Sequence, residues 1–210
     1  MTTLILDADF EAQAIAQRRA LGLDRYDEVW DGVYVMAPLA NNEHQRVATK
    51  LSAVLERIGE ELNAEVLCGC NVSDRRDDWI TNYRCPDNAV FLAENPAENL
   101  STHWLGGPDF AVEITSPKDK TWDKLDFYAS VSTRELLVID REPWKLSLLR
   151  LQDGKLLLVG ESTLAESLAI ASTVLPLAFQ LVARENEMPL IAVSHQDGRR
   201  WNVDPVARGR

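Results

Sequence analysis

Apolar residues along the chain switch between a helical and a strand period, and each switch marks an element. Residues 9–21 read as a first, outer helix that Gly22 is placed to stop. In the next stretch, YDEVWDGVYVM, Asp31-Gly32 sits between two short alternating runs, the signal of a two-residue hairpin, so strands are expected at 26–30 and 33–36. Beyond Pro38, Val47, Leu51, Val54, Leu55, Ile58 and Leu62 recur at helical spacing, with Asn41 or Asn42 available as N-cap.

The pattern then turns to strands at 64–72, 79–84 and 88–92, with the charged turn SDRRDD between the first two. Residues 93–108 are rich in Pro, Gly and Asn and read as a long surface loop, a length often tied to function. From Asp109 onward strand, turn, helix and strand succeed one another, which is a βαβ pattern. The runs KLSLLRL and KLLLVG around Asp153-Gly154 predict a further hairpin, and 161–203 alternates loosely as a β-rich extension of the sheet. Together these elements predict an α/β (α+β) protein of a single domain over 1–210.

Composition narrows the setting. Three cysteines, Cys68, Cys70 and Cys85, form no repeated CxxC pair, so they read as reduced thiols packed in a core. A CxC alone lacks the second pair that a zinc site draws from nearby sequence. No export signal opens the chain and charges interrupt every apolar run, so a soluble cytoplasmic protein is expected. A net charge of −11 argues against long-range attraction to nucleic acid. The best basic cluster, Arg199, Arg200, Arg208 and Arg210, reads as a solvated tail.

The informative residue is Glu113, a carboxylate inside the apolar strand DFAVEIT, where lost hydration calls for a cation. Alternation sets Phe110, Val112 and Ile114 on one face and Ala111, Glu113 and Thr115 on the other. Asp87 enters a neighbouring apolar run directly after Pro86. If these strands are adjacent, two hard oxygen donors converge, which suits Mg²⁺ or Mn²⁺ with several waters retained. In the helix that follows Ser116-Pro117, Lys120, Lys124 and Tyr128 share one face, while Trp122, Leu125 and Ala129 share the face expected to pack on the sheet. A lysine beside the metal would orient the attacking water and stabilise developing charge. The plainer reading is that Glu113 is half of a buried ion pair with Arg84 or Lys124.

The ordered run DGVYVM, NNEHQRVATKL, RCPDNAVF and PDFAVEITSPKDKTWDKLDFYASVSTRELLVIDREPWKLSLLRL resembles the Uma-type restriction endonuclease family of the PD-(D/E)XK superfamily, over roughly residues 24–160. The resemblance implies a restriction-endonuclease-like mixed central sheet flanked by helices. It matches Pro86-Asp87 to the PD element and Glu113 to the (D/E) position. Thr115 stands where the parent motif has lysine, and Lys124 matches the lysine that this family carries in the following helix. His44 also matches a residue typical of the pattern, with Glu43 beside it as a further metal ligand, whereas Lys120 replaces a residue often acidic there.

The resemblance therefore implies a Mg²⁺-dependent endodeoxyribonuclease acting on DNA, with Asp87 and Glu113 holding the metal, Lys124 positioning water, and loop 93–108 shaping the groove. A symmetric homodimer would pair two sites for double-strand cleavage. The competing expectation is a catalytically inactive interaction protein on the same scaffold, which the acidic composition favours.

Overall fold

The computed structural model of the chain describes residues 8–37, 40–116 and 120–206. In chain order the elements are α1 (Ala8–Ala20), β1 (Glu28–Trp30), β2 (Val33–Val35), α2 (Asn42–Leu62), β3 (Glu65–Leu67), β4 (Val72–Ser73), β5 (Tyr83–Arg84), β6 (Asn88–Phe91), β7 (Glu98–Asn99), β8 (Trp104–Leu105) and β9 (Phe110–Ile114). A 3₁₀ turn, Thr121–Lys124, leads into α3 (Leu125–Ser130). Then follow β10 (Glu135–Arg141), β11 (Trp144–Gln152), β12 (Lys155–Thr163), β13 (Ile170–Ala171), β14 (Leu177–Arg184), β15 (Glu187–His195) and β16 (Arg200–Val203).

The central sheet has the order β12-β11-β10-β9-β6-β3. Among the described residues, only β9 and β10 run parallel within it, joined by the α3 crossover, so the expected βαβ unit stands at the centre of a mixed sheet. One face carries Phe110, Val112, Ile114, Leu137, Ile139, Leu146 and Leu148, and it is covered by α2 and by a separate four-stranded sheet, β13-β14-β15-β16. The other face, with Ala89, Phe91, Ala111, Leu136 and Val138, packs on α3 and on a sheet of short strands ordered β2-β1-β5-β4-β8-β7.

Helix α2 follows its apolar period. Asn41 caps it, its side chain accepting from the His44 amide at 2.9 Å, and Val47, Leu51, Val54, Leu55 and Ile58 are buried. Each such side chain contributes about 1.5–3 kcal/mol on burial. Leu62 is exposed instead, because Gly59 takes the last inward position against Val66, where a Cβ would come within 2.7 Å of that side chain.

Several expectations change. The strand expected at 64–72 breaks into β3 and β4, which belong to different sheets; Gly69 adopts a positive φ of 67° between them, tight against the Tyr26 ring. The strand expected at 79–84 is a 3₁₀ turn, Trp79–Thr81, followed by the two residues of β5. Loop 93–108 contains β7 and β8, which complete the edge of the small sheet. Residues 170–203 form their own sheet rather than extending the central one, because Phe179, Leu181, Ile191 and Val193 all face the same interior as Phe110. Cys85 is buried and the half-buried Cys70 packs against the core, whereas Cys68 is exposed, so core packing explains two thiols of the three. Arg208 and Arg210 lie outside the described residues; Arg199 pairs with Glu61 and Asp197. No helix among the described residues is long and apolar enough to cross a membrane.

Candidate active site

Antiparallel pairing of β6 with β9 sets Asn88 opposite Val112 and Ala89 opposite Ala111. Asp87 directly precedes β6, beside the end of β9 that carries Glu113, and its charge acts on that buried carboxylate. The Asp87 Oδ2 accepts a hydrogen bond from the Ile114 amide at 2.7 Å. The two carboxylates expected from the sequence are thus brought together at the end of adjacent strands.

Their surroundings differ. Asp87 lies at the rim, and its Oδ1 is 2.7 Å from His44 Nε2, near the start of α2. An ionised carboxylate only accepts, so Nε2 carries the proton in this contact. Among the described residues, His44 Nδ1 is buried without a hydrogen-bond partner. Glu113 is buried, and both its oxygens accept from Lys124 Nζ at 3.0 Å, while Tyr128 Oη donates to Oε1 at 2.5 Å.

Lys124 also donates to Glu28 Oε1 at 2.9 Å, across 96 residues of sequence. Glu28 is buried on β1 and was missed by sequence reasoning, since an acidic residue beside an Asp-Gly hairpin turn reads as solvated. Its Oε1 further accepts from the Cys85 amide at 2.8 Å and its Oε2 from the Trp30 indole at 2.7 Å. The only local sign is its place in the inward register of a short apolar strand.

The cluster is short of positive charge. Burial pushes Glu113 up to about 8; Lys124 opposes that rise, and Glu28 and Asp87 add to it. For Lys124 burial works against the ammonium, but Glu113 and Glu28 outweigh it, so the lysine stays charged with a raised pKa. Burial also holds the Tyr128 hydroxyl well above its ordinary value, so it is a hydrogen-bond donor at neutral pH. Arg84 does not pair with Glu113: its guanidinium stacks over Trp30 and Phe127 at 4.6 and 4.2 Å and donates to the carbonyl of Val29.

The helix face expected to meet the sheet is corrected in part. Ala129 is buried and Leu125 packs against the core, but Trp122 is exposed, and Lys124 and Tyr128 point inward as well. The cause is the 3₁₀ turn, whose tighter winding shifts the phase of the residues before α3. Lys120 stays at the surface, 5.9 Å from the Trp30 ring centroid and 3.9 Å from Asp123. Glu43 turns to Arg141 at 3.1 Å. Arg141 in turn donates to the Thr115 carbonyl at 2.8 Å and to the Asn41 side chain at 3.0 Å, bolting the start of α2 to the end of β9.

Among the described residues no group of three or more His, Cys, Asp or Glu is arranged to hold a metal ion. Mg²⁺, however, is bound through one or two carboxylates with its waters retained rather than by a closed protein cage. Asp87 and Glu113 offer that donor set, and the depleted positive charge around Glu113 fits a divalent cation. The residues present therefore fit the group.

A family model described as "Putative restriction endonuclease", Uma2, matches residues 17–184. That is longer at both ends than the 24–160 of the resemblance read from the motifs. A solved structure of a putative nuclease belonging to DUF820, from Anabaena variabilis ATCC 29413, is similar in fold, with a TM-score of 0.54 at 17% identity over 70% of this chain and 80% of that one. No curated protein matches.

Proposed function

Since the chain belongs to the Uma2 family of restriction-endonuclease-like proteins and has a nuclease-like fold, we propose that it is a Mg²⁺-dependent endodeoxyribonuclease that hydrolyses phosphodiester bonds. The observation that carries this reading is that Asp87, bonded to the amide of Ile114, stands next to Glu113 at the end of β9, with a lysine and a tyrosine on the buried carboxylate.

Asp87 and Glu113 would hold the cation, which supplies Lewis-acid stabilisation and a water of lowered pKa. The remaining work falls to the chain. Tyr128 donates to Glu113 Oε1 and fixes the rotamer of that carboxylate. His44 and the Ile114 amide hold the two oxygens of Asp87. Lys124, released from one Glu113 oxygen, directs its ammonium at the reacting phosphate, where it stabilises developing negative charge. Hydrogen bonds from three directions keep these groups in place before substrate arrives.

One observation favours the second reading, a nuclease-fold binding protein without catalysis: Lys124 already occupies both oxygens of Glu113. Incubation of single-stranded, duplex and branched DNA with Mg²⁺ or Mn²⁺ separates the two. Cleavage that disappears in Asp87→Ala and Glu113→Ala supports the enzyme; cleavage indifferent to both substitutions removes the site, and DNA binding without cleavage supports the second reading.

A further inference from the structure

Glu28 is the one member of the cluster to which the proposed reaction gives no task. Its position is unusually well determined: the Cys85 amide and the Trp30 indole hold one oxygen each, and the Arg84 guanidinium stacks over the same indole at 4.6 Å. These contacts leave Glu28 little freedom to turn toward a cation. Lys124 Nζ, by contrast, stands between two carboxylates, 3.0 Å from each oxygen of Glu113 and 2.9 Å from Glu28 Oε1.

A divalent cation bound to Glu113 needs an oxygen that now accepts from Lys124, and its charge repels the ammonium. A buried ammonium stripped of its partner is strongly unfavourable. Glu28 removes that difficulty, because it already shares the lysine.

We propose that Glu28 is a positioning residue that keeps the Lys124 ammonium beside the cluster when a divalent cation takes Glu113. This rests on the reading of Asp87 and Glu113 as a cation site. Without Glu28 the lysine has Glu113 as its only carboxylate among these contacts, and it competes with the cation there. The role acts through Lys124, so it vanishes when that lysine does.

The test is calorimetric titration with Mn²⁺ of the wild type, Glu28→Gln, Lys124→Met and the double variant. Glu28→Gln is expected to weaken Mn²⁺ binding about tenfold, the scale of outer-sphere partners of metal ligands. In the Lys124→Met background the same substitution is expected to change the affinity by no more than about twofold, the mark of a shared partner in a double-mutant cycle. Equal losses in both backgrounds make Glu28 a ligand itself and overturn the proposal; no loss in either leaves it a structural group and overturns it as well.

Because Gln offers one acceptor fewer to Cys85 and Trp30, a structure of the wild type with Mn²⁺ provides a second measurement. Lys124 Nζ is expected within hydrogen-bonding distance of Glu28 and parted from the cation-bound oxygen of Glu113. A lysine swung into solvent, or still on both Glu113 oxygens, contradicts it. A wild type that binds no Mn²⁺ removes the cation-site reading and this inference with it, whereas binding without the coupling removes the inference alone.

Discussion

The two faces of β9 show what the same strand does with opposite chemistry. On one side Phe110, Val112 and Ile114 close a continuous apolar interior with α2 and the C-terminal sheet. On the other, two positions along, Ala111 makes room and Glu113 enters a buried cluster with Lys124, Glu28 and Tyr128. The first face supplies stability through area removed from water. The second takes ionisable groups out of water and regains that loss only through well-formed contacts. A strand braced on one side can therefore carry a strained electrostatic arrangement on the other.

Single truncations have the largest expected effect on either face. Phe110→Ala is expected to lower unfolding free energy by about 3–5 kcal/mol in denaturant titration, with transfer and cavity effects combined. Lys124→Ala is expected to cost a similar amount, about 3–5 kcal/mol, for a different reason: it strands two buried carboxylates. The two faces part company when the charges go together. Glu28→Gln, Lys124→Met and Glu113→Leu combined should be neutral or stabilising by about 1–4 kcal/mol, as replacement of a buried charged triad often is. A triple variant as unstable as Lys124→Ala would mean that the cluster, too, is structural.

A smaller effect follows from pH. Glu113 has a folded-state pKa of about 8, above its unfolded value. The proton is held more tightly in the folded, metal-free protein, so this group's contribution to stability is complete below the unfolded carboxylate pKa and is lost as pH rises toward about 8. Denaturant titrations in chelator across that window should show stability falling with pH, and the slope should shrink in Glu113→Gln. A cation displaces the same proton, so Mg²⁺ is expected to bind more tightly as pH rises and to level off above the folded pKa.

Much of this was legible in the chain. The 3.6-residue period set α2, and the Asp-Gly pairs set both hairpins, since Asp31-Gly32 and Asp153-Gly154 all adopt positive φ. Glu113 announced itself as a charge in an apolar strand. What escaped was whatever depends on partners distant in sequence. Glu28 reads as a turn residue until Lys124 meets it from 96 residues away. The inward face of α3 was assigned from an uninterrupted α-helical period, and the 3₁₀ turn before it rotates Trp122 out and Lys124 in. Alternation over 170–203 gives the buried face of each strand but not the sheet it joins.

Thermal unfolding with Mg²⁺ decides whether Asp87 and Glu113 form one divalent-cation site. Binding to the native state alone should stabilise the wild type by about 2.7 kcal/mol at one hundred times Kd, and Asp87→Ala should lose that gain. An equal gain in Asp87→Ala, or none in the wild type at saturating Mg²⁺, would rule that site out.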